Sequence, residues 1–520
     1  MEYIVDAQEA KEIDRISIQE IGIPSMVLME KASMAVAGCI MAESDPAVDR
    51  ILAICGTGNN GGDGVATVRL LKESGFDVSV LVLGQKERCT EEMNRQLEIA
   101  EQLDISVFWD NPSQGSEEND SEEMTITETR LQEYSIIVDA IFGIGLAREV
   151  TGKIARYIQA INRSGKDIVA VDIPSGIHAD NGKVLGHAVN ARVTVTFGNN
   201  KRGLLLYPGM EYAGQVIVAD IGFPKKALAR VSPKAFTLKK ETVGNYLPDR
   251  KRRSHKGSYG KTLVIAGSPD MSGACYLASE AAYRMGCGLV QIFTAVENAT
   301  VIRTKLPEAI VTTWSESVTN DEEKLLVAAL HSAASIVVGP GLSMSDGAKR
   351  LLDITLCELK NMPDKPVVID ADALNILAER NQYYEMGHQF ILTPHMREMS
   401  RLTGMETTEI SGNMIETVSG QQGGATVVLK DARTLVSDGK LLYINTSGNS
   451  GLATGGSGDV LSGIIGGLLA QGMTPFQAAC LGVCLHGLTA ERYSEKYLPH
   501  SMLARDILEM LPYVLADIKG

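Results

Sequence analysis

The residues that decide the fold are an apolar run, Ile51-Leu-Ala-Ile-Cys55, and the loop after it, Gly56-Thr-Gly-Asn-Asn-Gly-Gly-Asp-Gly64. An apolar run that enters a glycine-rich loop and continues into helical periodicity over 65–74 is typical of a strand–loop–helix unit. Other strand-like runs alternate with helical stretches along the first half of the chain, at 77–83, 136–140, 167–171 and 191–197. This alternation predicts a parallel sheet covered by helices on both faces.

A second series of strand-like runs begins after Gly260 and repeats none of the motifs of the first series. Its members lie at 262–266, 288–294, 335–339, 367–370, 390–393 and 426–430. Lysine, arginine and proline accumulate between the two series, at 224–256. One hydrophobic core rarely grows beyond about 250–300 residues, so a chain of 520 residues is expected to hold two domains. We predict an α/β protein with domains at 1–228 and 229–520.

Composition narrows the range of partners. The chain has 49 Lys and Arg against 64 Asp and Glu, a net charge of −15. This acidity argues against nucleic acid or an anionic membrane as the main partner. The eight cysteines are scattered through apolar segments, which favours free thiols in a reducing compartment. With no leader-like start and no run long enough to cross a bilayer, we expect a cytoplasmic protein. The acidic, polar stretch 111–123 is predicted to be a loop.

The first glycine loop predicts a ligand site. Gly56, Gly58 and Gly61 fit the GxGxxG pattern of dinucleotide-binding turns, but that fold places an acid at the end of the next strand, and the run at 77–83 ends without one. The loop instead adds side-chain oxygens, which suit an alkali ion or a polyhydroxyl ligand. Carboxylates Asp139 and Asp172 end two further strand-like runs. We therefore expect a phosphate-bearing or sugar-like ligand, with the alternative that each Asp only caps a helix.

Three motifs of this half together resemble the NAD(P)H-hydrate epimerase domain: GTGNNGGDG at 56–64, VDAIFGIG at 138–145 and VDIPSG at 171–176. The resemblance implies a Rossmann-like three-layer sandwich that interconverts epimers at C6 of the hydrated nicotinamide ring, with Asp172 as the acid–base residue. It also implies a potassium ion held by Asn60, Asp139 and Ser175. The substrate contacts that it implies are Asn59, Asn60, Gly61, Gly62, Asp63, Gly143, Ile144, Gly145, Leu146, Ala147, Arg148 and Glu149.

A second glycine-rich loop, Gly448-Asn-Ser-Gly-Leu-Ala-Thr-Gly-Gly-Ser-Gly-Asp459, runs directly into an apolar helical stretch. Backbone N–H groups at a helix N-terminus favour a phosphate. Asp459 is placed to take a proton from a substrate hydroxyl while a phosphoryl group is transferred; the alternative is a simple N-cap. His395 and Glu398 follow another strand-like run, and this pairing favours ligand contact over a purely structural role.

The second half resembles the ribokinase-like NAD(P)H-hydrate dehydratases that use ADP or ATP. The motifs are SHKGSYG, VVGPGL, DADALN, TPHMREM and GLATGGSGDVLSG, at 254–260, 337–342, 370–375, 393–399 and 451–463. The resemblance implies a ribokinase-like three-layer sandwich with Mg²⁺ and Asp459 as catalytic base. The hydrate contacts that it implies are Gly341, His395, Met396, Arg397, Glu398 and Arg401. The nucleotide contacts are Lys430, Asp431, Ala432, Arg433, Thr434, Asn449, Thr454, Gly455, Gly456, Ser457 and Gly458.

Together the two resemblances imply repair of hydrated NADH and NADPH (NADHX and NADPHX). The first domain would interconvert the R and S epimers, and the second would dehydrate the S epimer at the expense of ADP or ATP. We expect small-molecule ligands only and a homo-oligomer. The two-domain fusion resembles the bacterial forms of this family, and this resemblance suggests ADP. The alternative is a ribokinase-like small-molecule kinase fused to a non-catalytic nucleotide-binding module.

Overall fold

The computed structural model describes residues 1–110, 130–383, 386–420 and 423–519. The stretch predicted as a loop at 111–123 therefore lies outside the described residues. The chain divides into two compact units, Tyr3–Ala235 and Phe236–Gly520, the second of which also includes Met1–Glu2.

The N-terminal unit alternates strands and helices. Its strands are β1 (Glu2–Val5), β2 (Arg50–Cys55), β3 (Asp77–Leu83), β4 (Ser106–Asp110), β5 (Ile136–Ala140), β6 (Asp167–Val171), β7 (Val193–Phe197), β8 (Asn200–Lys201) and β9 (Gln215–Ala219). Its helices are α1 (Ala7–Arg15), α2 (Ser25–Met41), α3 (Asn59–Glu73), α4 (Glu91–Gln102), α5 (Gly152–Arg163), α6 (Arg202–Leu205), α7 (Gly209–Ala213) and α8 (Lys225–Val231).

A parallel sheet with a hydrophobic core on each face organises this unit. The strand order is β4-β3-β2-β5-β6-β7-β9, and every neighbouring pair is parallel. Side chains alternate between the faces of a strand, so Ile51 and Ala53 pack with α2, α3 and α4, whereas Leu52 and Ile54 pack with α5. The predicted Rossmann-like three-layer sandwich is confirmed.

The C-terminal unit repeats this plan with a different strand order. Its strands are β10 (Ala235–Thr237), β11 (Lys261–Ile265), β12 (Leu289–Ala295), β13 (Ile310–Trp314), β14 (Ser335–Val338), β15 (Val367–Ile369), β16 (Phe390–Leu392), β17 (Thr426–Leu429), β18 (Leu435–Ser437) and β19 (Leu442–Ile444). Its helices are α9 (Lys240–Val243), α10 (Ser272–Arg284), α11 (Ala299–Lys305), α12 (Asn320–Ser332), α13 (Asp346–Leu359), α14 (Ala371–Glu379), α15 (Met396–Thr403), α16 (Thr407–Gly412), α17 (Met414–Ser419), α18 (Ser457–Ala470), α19 (Pro475–Ser494) and α20 (Ala504–Lys519).

The main strands of this unit lie in the order β13-β12-β11-β14-β15-β16-β17-β18-β19. Pairs from β13 to β17 are parallel, and β17, β18 and β19 form an antiparallel meander. One face packs against α10, α18, α19 and α20. The opposite face and the apolar residues of α12, α13 and α14 are also buried, as a three-layer sandwich requires. The predicted two-domain α/β fold class is therefore confirmed.

None of the helices in the described part of the chain is both long enough and apolar enough to cross a membrane.

Candidate functional site

The first glycine loop connects β2 to α3 and lies against the end of β5. A Cβ atom on Gly56 would lie 2.1 Å from the carbonyl oxygen of Ile141, and one on Gly61 would lie 2.0 Å from the carbonyl oxygen of Gly56. Glycine is therefore required at both positions because the backbones approach too closely for a side chain. The helix N-terminus and the end of β5 meet at the carboxyl edge of the sheet, where open parallel sheets bind ligands.

A buried carboxylate and hydroxyl lie at this edge. Asp139, at the end of β5, accepts hydrogen bonds from the backbone N–H of Ser175 at 2.8 Å and from its hydroxyl at 2.6 Å. The Ser175 hydroxyl also lies 3.3 Å from the carbonyl oxygen of Phe142. Burial raises the pKa of Asp139 to about 6, against the opposing hydrogen bonds from Ser175. Oxygen atoms of two chain segments, the end of β5 with the loop after it and the turn that holds Ser175, therefore converge where the sequence predicts an ion.

Asn60 lies beside this group. A Cβ atom on Gly143 would lie 3.2 Å from the Asn60 side chain, which places the amide against the loop after β5. The Asn60 Nδ2 atom is buried and has no hydrogen-bond partner among the described residues. A buried polar atom without a partner indicates a ligand that the protein itself does not supply.

Asp172 follows β6 with a backbone φ of 66°, in the left-handed region that Asp tolerates better than most residues. Its Oδ1 atom accepts hydrogen bonds from the Thr196 hydroxyl at 3.0 Å and the Phe197 N–H at 3.1 Å. The ammonium of Lys201 donates to the same oxygen at 2.5 Å. Asp172 and Lys201 are both buried, at 8% and 2% exposure. This arrangement fixes the carboxylate of the predicted acid–base residue.

Asn60, Asp172 and Lys201 line one cavity of about 920 Å³, a size that accommodates a nucleotide-like ligand. The predicted residues that line it are Asn59, Asn60, Asp63, Gly143, Ile144, Gly145, Leu146, Ala147, Arg148 and Asp172. Three other predicted substrate contacts lie elsewhere. Gly61 and Gly62 are buried within α3, whereas Glu149 is exposed to solvent.

The second glycine loop leads into α18 with Gly456 at φ 88°. Asn449 holds this loop in place: its amide nitrogen donates to the carbonyl of Ala490 and to the hydroxyl of Ser494, both at 2.9 Å. Its Oδ1 accepts the N–H of Gly451, also at 2.9 Å. The Asn449 side chain is therefore occupied within the protein. Gly455 is exposed, and a Cβ atom there would meet nothing within 4 Å, so this part of the loop is open to a ligand.

Asp459 lies in the first turn of α18 near a buried ion pair. Asp370, after β15, accepts a hydrogen bond from the Lys430 ammonium at 2.9 Å and another from the Ser462 hydroxyl at 2.7 Å. A Cβ atom on Gly458 would lie 3.3 Å from Lys430 Nζ, so the ammonium borders the helix N-terminus. Burial and then the Asp370 carboxylate raise the pKa of Asp459 to about 7, against the effect of Lys430. A carboxyl with such a pKa is suited to proton transfer near neutral pH.

The predicted hydrate contacts after β16 cap a helix. His395 Nδ1 accepts the backbone N–H groups of Arg397 and Glu398, at 3.1 and 3.2 Å, and the Glu398 carboxylate accepts the N–H of His395 at 2.8 Å. This reciprocal capping starts α15. Glu398 is buried, which raises its pKa to about 7. Arg401, one turn later, donates to Asn375 Oδ1 at 2.8 Å, and Met396 lies in the first turn.

The remaining predicted residues lie on the loops around α18. Lys430 follows β17, and Asp431, Ala432, Arg433 and Thr434 form the turn to β18. Arg433 donates to the carbonyl of Thr446 at 3.0 Å. Thr454 accepts the N–H of Ser457 at 3.3 Å through its carbonyl. Gly341 is buried at φ 57°, and a Cβ atom there would lie 2.7 Å from Ala274 Cβ.

Two family models match the chain in succession. The model described as YjeF-related protein N-terminus matches residues 25–203, and the one described as NAD(P)H-hydrate dehydratase matches residues 262–513. The bifunctional NAD(P)H-hydrate repair enzyme of Moorella thermoacetica is 36% identical over 99% of this chain and 97% of its own length. Its counterpart from Coxiella burnetii is 36% identical over 98% of this chain and 99% of its own length.

This chain belongs to the bifunctional NAD(P)H-hydrate repair enzymes. The family predicted from the motifs is thereby confirmed. Among solved structures, the chain is similar to an ADP/ATP-dependent NAD(P)H-hydrate dehydratase from Bacillus subtilis co-crystallised with ATP and Mg²⁺. The identity is 32% and the TM-score 0.47, over 54% of this chain and 97% of that one. A ribokinase-like superfamily protein from Enterococcus faecalis is 27% identical with a TM-score of 0.49, over 55% and 98%.

Sequence reasoning missed several charged residues in the N-terminal cavity of this family member. Asp14 on α1 and Glu92 on α4 line it together with Lys11 and Arg88. Burial, followed by the charges of Glu92 and Asp172, raises the pKa of Asp14. On a short amphipathic helix, Asp14 looks like a solvated side chain, and only the fold brings α1 to the sheet edge.

His486 in α19 is also absent from the predicted site. Its Nε2 lies 3.0 Å from the carbonyl oxygen of Ser457 and 3.2 Å from the Ser457 hydroxyl. Burial lowers the pKa of His486 to about 4, so the ring is neutral at physiological pH. It supports the first turn of α18 beneath the glycine loop. Periodicity predicts a core position here, and no local signal links this His to the loop.

Proposed function

We propose that this chain repairs hydrated NADH and NADPH, with an epimerase in residues 1–228 and a dehydratase in residues 229–520. The observation that carries the proposal is the pair of aspartates, Asp172 and Asp459, each at the carboxyl edge of a parallel sheet. They occur within a chain that belongs, over almost its whole length, to the bifunctional repair enzymes.

In the first unit, Asp172 acts as the base. Its carboxylate takes the proton of the C6 hydroxyl, the C6–N1 bond breaks, and C6 becomes an aldehyde carbon. The electron pair moves to N1 and spreads into the ring carboxamide. N1 then attacks the opposite face of the aldehyde, and the new alkoxide recovers the proton from Asp172. Atoms and charge balance with no co-reactant, and the cavity retains the open intermediate.

Potassium fits the buried oxygen group of this unit. The Asp139 carboxylate and the Ser175 hydroxyl contact each other, and the Asn60 side chain, which carries an amide oxygen, lies against the loop after β5. Hard oxygen donors of this kind suit an alkali ion. Asn60, Asp139 and Ser175 would hold the ion, which would supply a fixed positive charge beside the ligand. The proposed substrate contacts are the predicted ones that line the cavity.

In the second unit, Asp459 takes the proton of the C6 hydroxyl of the S epimer. The oxygen then attacks the terminal phosphoryl group of ADP or ATP, so that a C6–O–P linkage forms and the nucleotide loses one phosphate. The ring-nitrogen lone pair breaks the C6–O bond, phosphate leaves, and C5 gives a proton to that phosphate. The double bond between C5 and C6 is restored, with one nucleotide phosphate spent for each coenzyme.

The start of α18 binds the phosphates. Backbone N–H groups over 455–458 and the Lys430 ammonium face the position where phosphoryl charge develops. Among the described residues, no group of three or more His, Cys, Asp or Glu side chains could hold a metal ion. Mg²⁺ therefore fits as an ion bound mainly through the nucleotide phosphates and water, which is its usual mode.

We also propose that the chain works in the cytoplasm. All eight cysteines are free thiols, which fits a reducing compartment such as the cytoplasm. Homo-oligomer formation remains a prediction.

A direct assay tests the proposal. The purified full chain is incubated with pure (6R)-NADHX, Mg²⁺ and either ADP or ATP, and the absorbance band of reduced nicotinamide is followed. We expect NADH to appear with inorganic phosphate in equal amounts. A stable phosphorylated product would instead indicate a small-molecule kinase. Omitting the nucleotide isolates epimerisation, which is read from the R to S ratio by NMR.

A further inference from the structure

Lys201 is a buried lysine that lines the N-terminal cavity, and the sequence offers two roles for it: a ligand-binding charge or a solvated side chain. It is 2% exposed, which excludes the second role. Its backbone is fixed because β8 pairs with β1, where Val5 lies opposite Lys201. A lysine in such a place needs partners for its charge.

The ammonium uses all of its donors within the protein. Lys201 Nζ donates to Asp172 Oδ1 at 2.5 Å, to the Thr196 hydroxyl at 2.9 Å and to the Phe197 carbonyl at 3.1 Å. An ammonium has three N–H donors, so none is left for a ligand. Lys201 therefore cannot serve as a direct substrate-binding charge, although it borders the cavity.

The same contacts give the two carboxylate oxygens of Asp172 different surroundings. Oδ1 accepts three hydrogen bonds, from Thr196, Phe197 and Lys201. No donor in the described part of the chain reaches Oδ2. Since Asp172 lines the cavity, Oδ2 is the oxygen available to a substrate hydroxyl. One oxygen anchors the carboxylate and the other is left to act as a base.

We infer that Lys201 is the positioning residue of the epimerase. It holds Asp172 as an oriented carboxylate whose Oδ2 receives the proton of the C6 hydroxyl. The inference rests on the proposed epimerase role of Asp172. It adds that a cation contacting no substrate sets which oxygen of Asp172 faces the cavity. The other charged groups that line this cavity are Lys11, Asp14, Asp63, Arg88, Glu92 and Arg148.

The test is the pH profile of epimerisation in the full chain, with (6R)-NADHX and no nucleotide. Lys201→Met removes the cation. A carboxyl that loses an opposite charge at this distance gains protons about 1–3 pH units higher, so the acidic limb of kcat/KM should move upward by that amount and activity should recover at high pH. Lys201→Arg keeps the charge, so its acidic limb should stay near that of the wild type even if kcat falls.

Two controls keep the result interpretable. Lys72→Met removes an exposed lysine in the last turn of α3 that does not line the cavity, and its acidic limb should not move. Dehydration of (6S)-NADHX with ADP, measured on the same preparations, reports whether the chain is folded. If Lys201→Met does not fold, Thr196→Val removes one donor to Oδ1 and should shift the limb in the same direction by less.

The possible results distinguish the role of Lys201 from the proposed epimerase activity. An unshifted acidic limb in folded Lys201→Met, or in Thr196→Val where that variant is the one measured, overturns the role of Lys201 and leaves the epimerase intact. A wild-type chain that does not interconvert the epimers at any pH overturns the proposed epimerase, and the role of Lys201 falls with it. An acidic limb that moves upward in Lys201→Met and stays near that of the wild type in Lys201→Arg supports the inference.

Discussion

Asp172 and Asp459 are carboxylates at the carboxyl edge of two parallel sheets, yet their surroundings differ. Asp172 accepts three hydrogen bonds on one oxygen, one of them from a buried ammonium. Asp459 lies in the first turn of a helix, and burial with the nearby Asp370 raises its pKa to about 7. The position on the sheet gives each carboxylate access to a ligand, but its neighbours decide how tightly it holds a proton.

This difference in surroundings explains how aspartate can have two different roles in one chain. A carboxylate held by three hydrogen bonds on one oxygen keeps its other oxygen available to the ligand, so it can return a proton to the hydroxyl oxygen from which it took it. A carboxyl with a pKa near neutrality changes its proton occupancy easily, next to backbone N–H groups that favour phosphoryl charge. If the two carboxylates have these separate tasks, substitution of either one should abolish one activity and spare the other.

Asp459→Asn should abolish the dehydratase. The amide keeps the shape but cannot take a proton, so dehydration of (6S)-NADHX should fall by about 10³-fold, within the range for loss of a general base. Appearance of NADH with ADP and Mg²⁺ measures it. Epimerisation on the same preparation should match the wild type. If dehydration continued at the wild-type rate, Asp459 would have no part in the mechanism.

Asp172→Asn should show the reverse pattern. Asn tolerates the positive φ of this position, so the fold is retained while the base is lost. We expect R to S conversion to fall by about 10²-fold or more, measured by NMR without nucleotide. Dehydration of pure (6S)-NADHX should be unchanged. Equal loss of both activities would indicate misfolding, and thermal unfolding would show it.

The sequence predicted the parts of each site that lie in one local segment. The runs at 50–55, 77–83, 136–140 and 167–171 coincide with β2, β3, β5 and β6, because buried parallel strands are short, continuous apolar runs. The carboxylates that end β5 and β6 could therefore be placed at one edge. The glycine loops could also be recognised in the sequence, because close backbone approach excludes residues with a side chain.

What the sequence could not predict depends on contacts between distant segments. Asp14 and Lys201 are separated by 187 positions in the sequence, and only the fold brings α1 and β8 to the same cavity. Likewise, His486 reaches Ser457 from the next helix. Charge and burial of such groups arise from packing, so periodicity alone indicates an ordinary solvated or core residue.

The pH dependence of dehydration tests whether Asp459 acts as a base. As a base, Asp459 must lose its proton, and with a pKa of about 7 it is mostly protonated below neutrality. Dehydration kcat/KM should therefore fall about tenfold for each pH unit below 7. Epimerisation, measured on the same preparations, shows whether the chain stays folded at the lower pH values. A dehydration kcat/KM that did not fall below pH 7 would contradict a base with this pKa at Asp459.

The smallest expected effect concerns two adjacent residues for which the family resemblance and the cavity lining give different expectations. Resemblance assigns substrate contact to both Arg148 and Glu149. Both side chains are exposed, but only Arg148 lines the cavity. An exposed side chain away from the ligand contributes within about 0.5 kcal/mol, so Glu149→Ala should change the epimerase KM by no more than about twofold. Arg148→Ala, the matched variant, should raise KM severalfold while kcat is kept. Similar increases in both variants would mean that Glu149 reaches the bound ligand and that the resemblance describes this loop better than the cavity lining does.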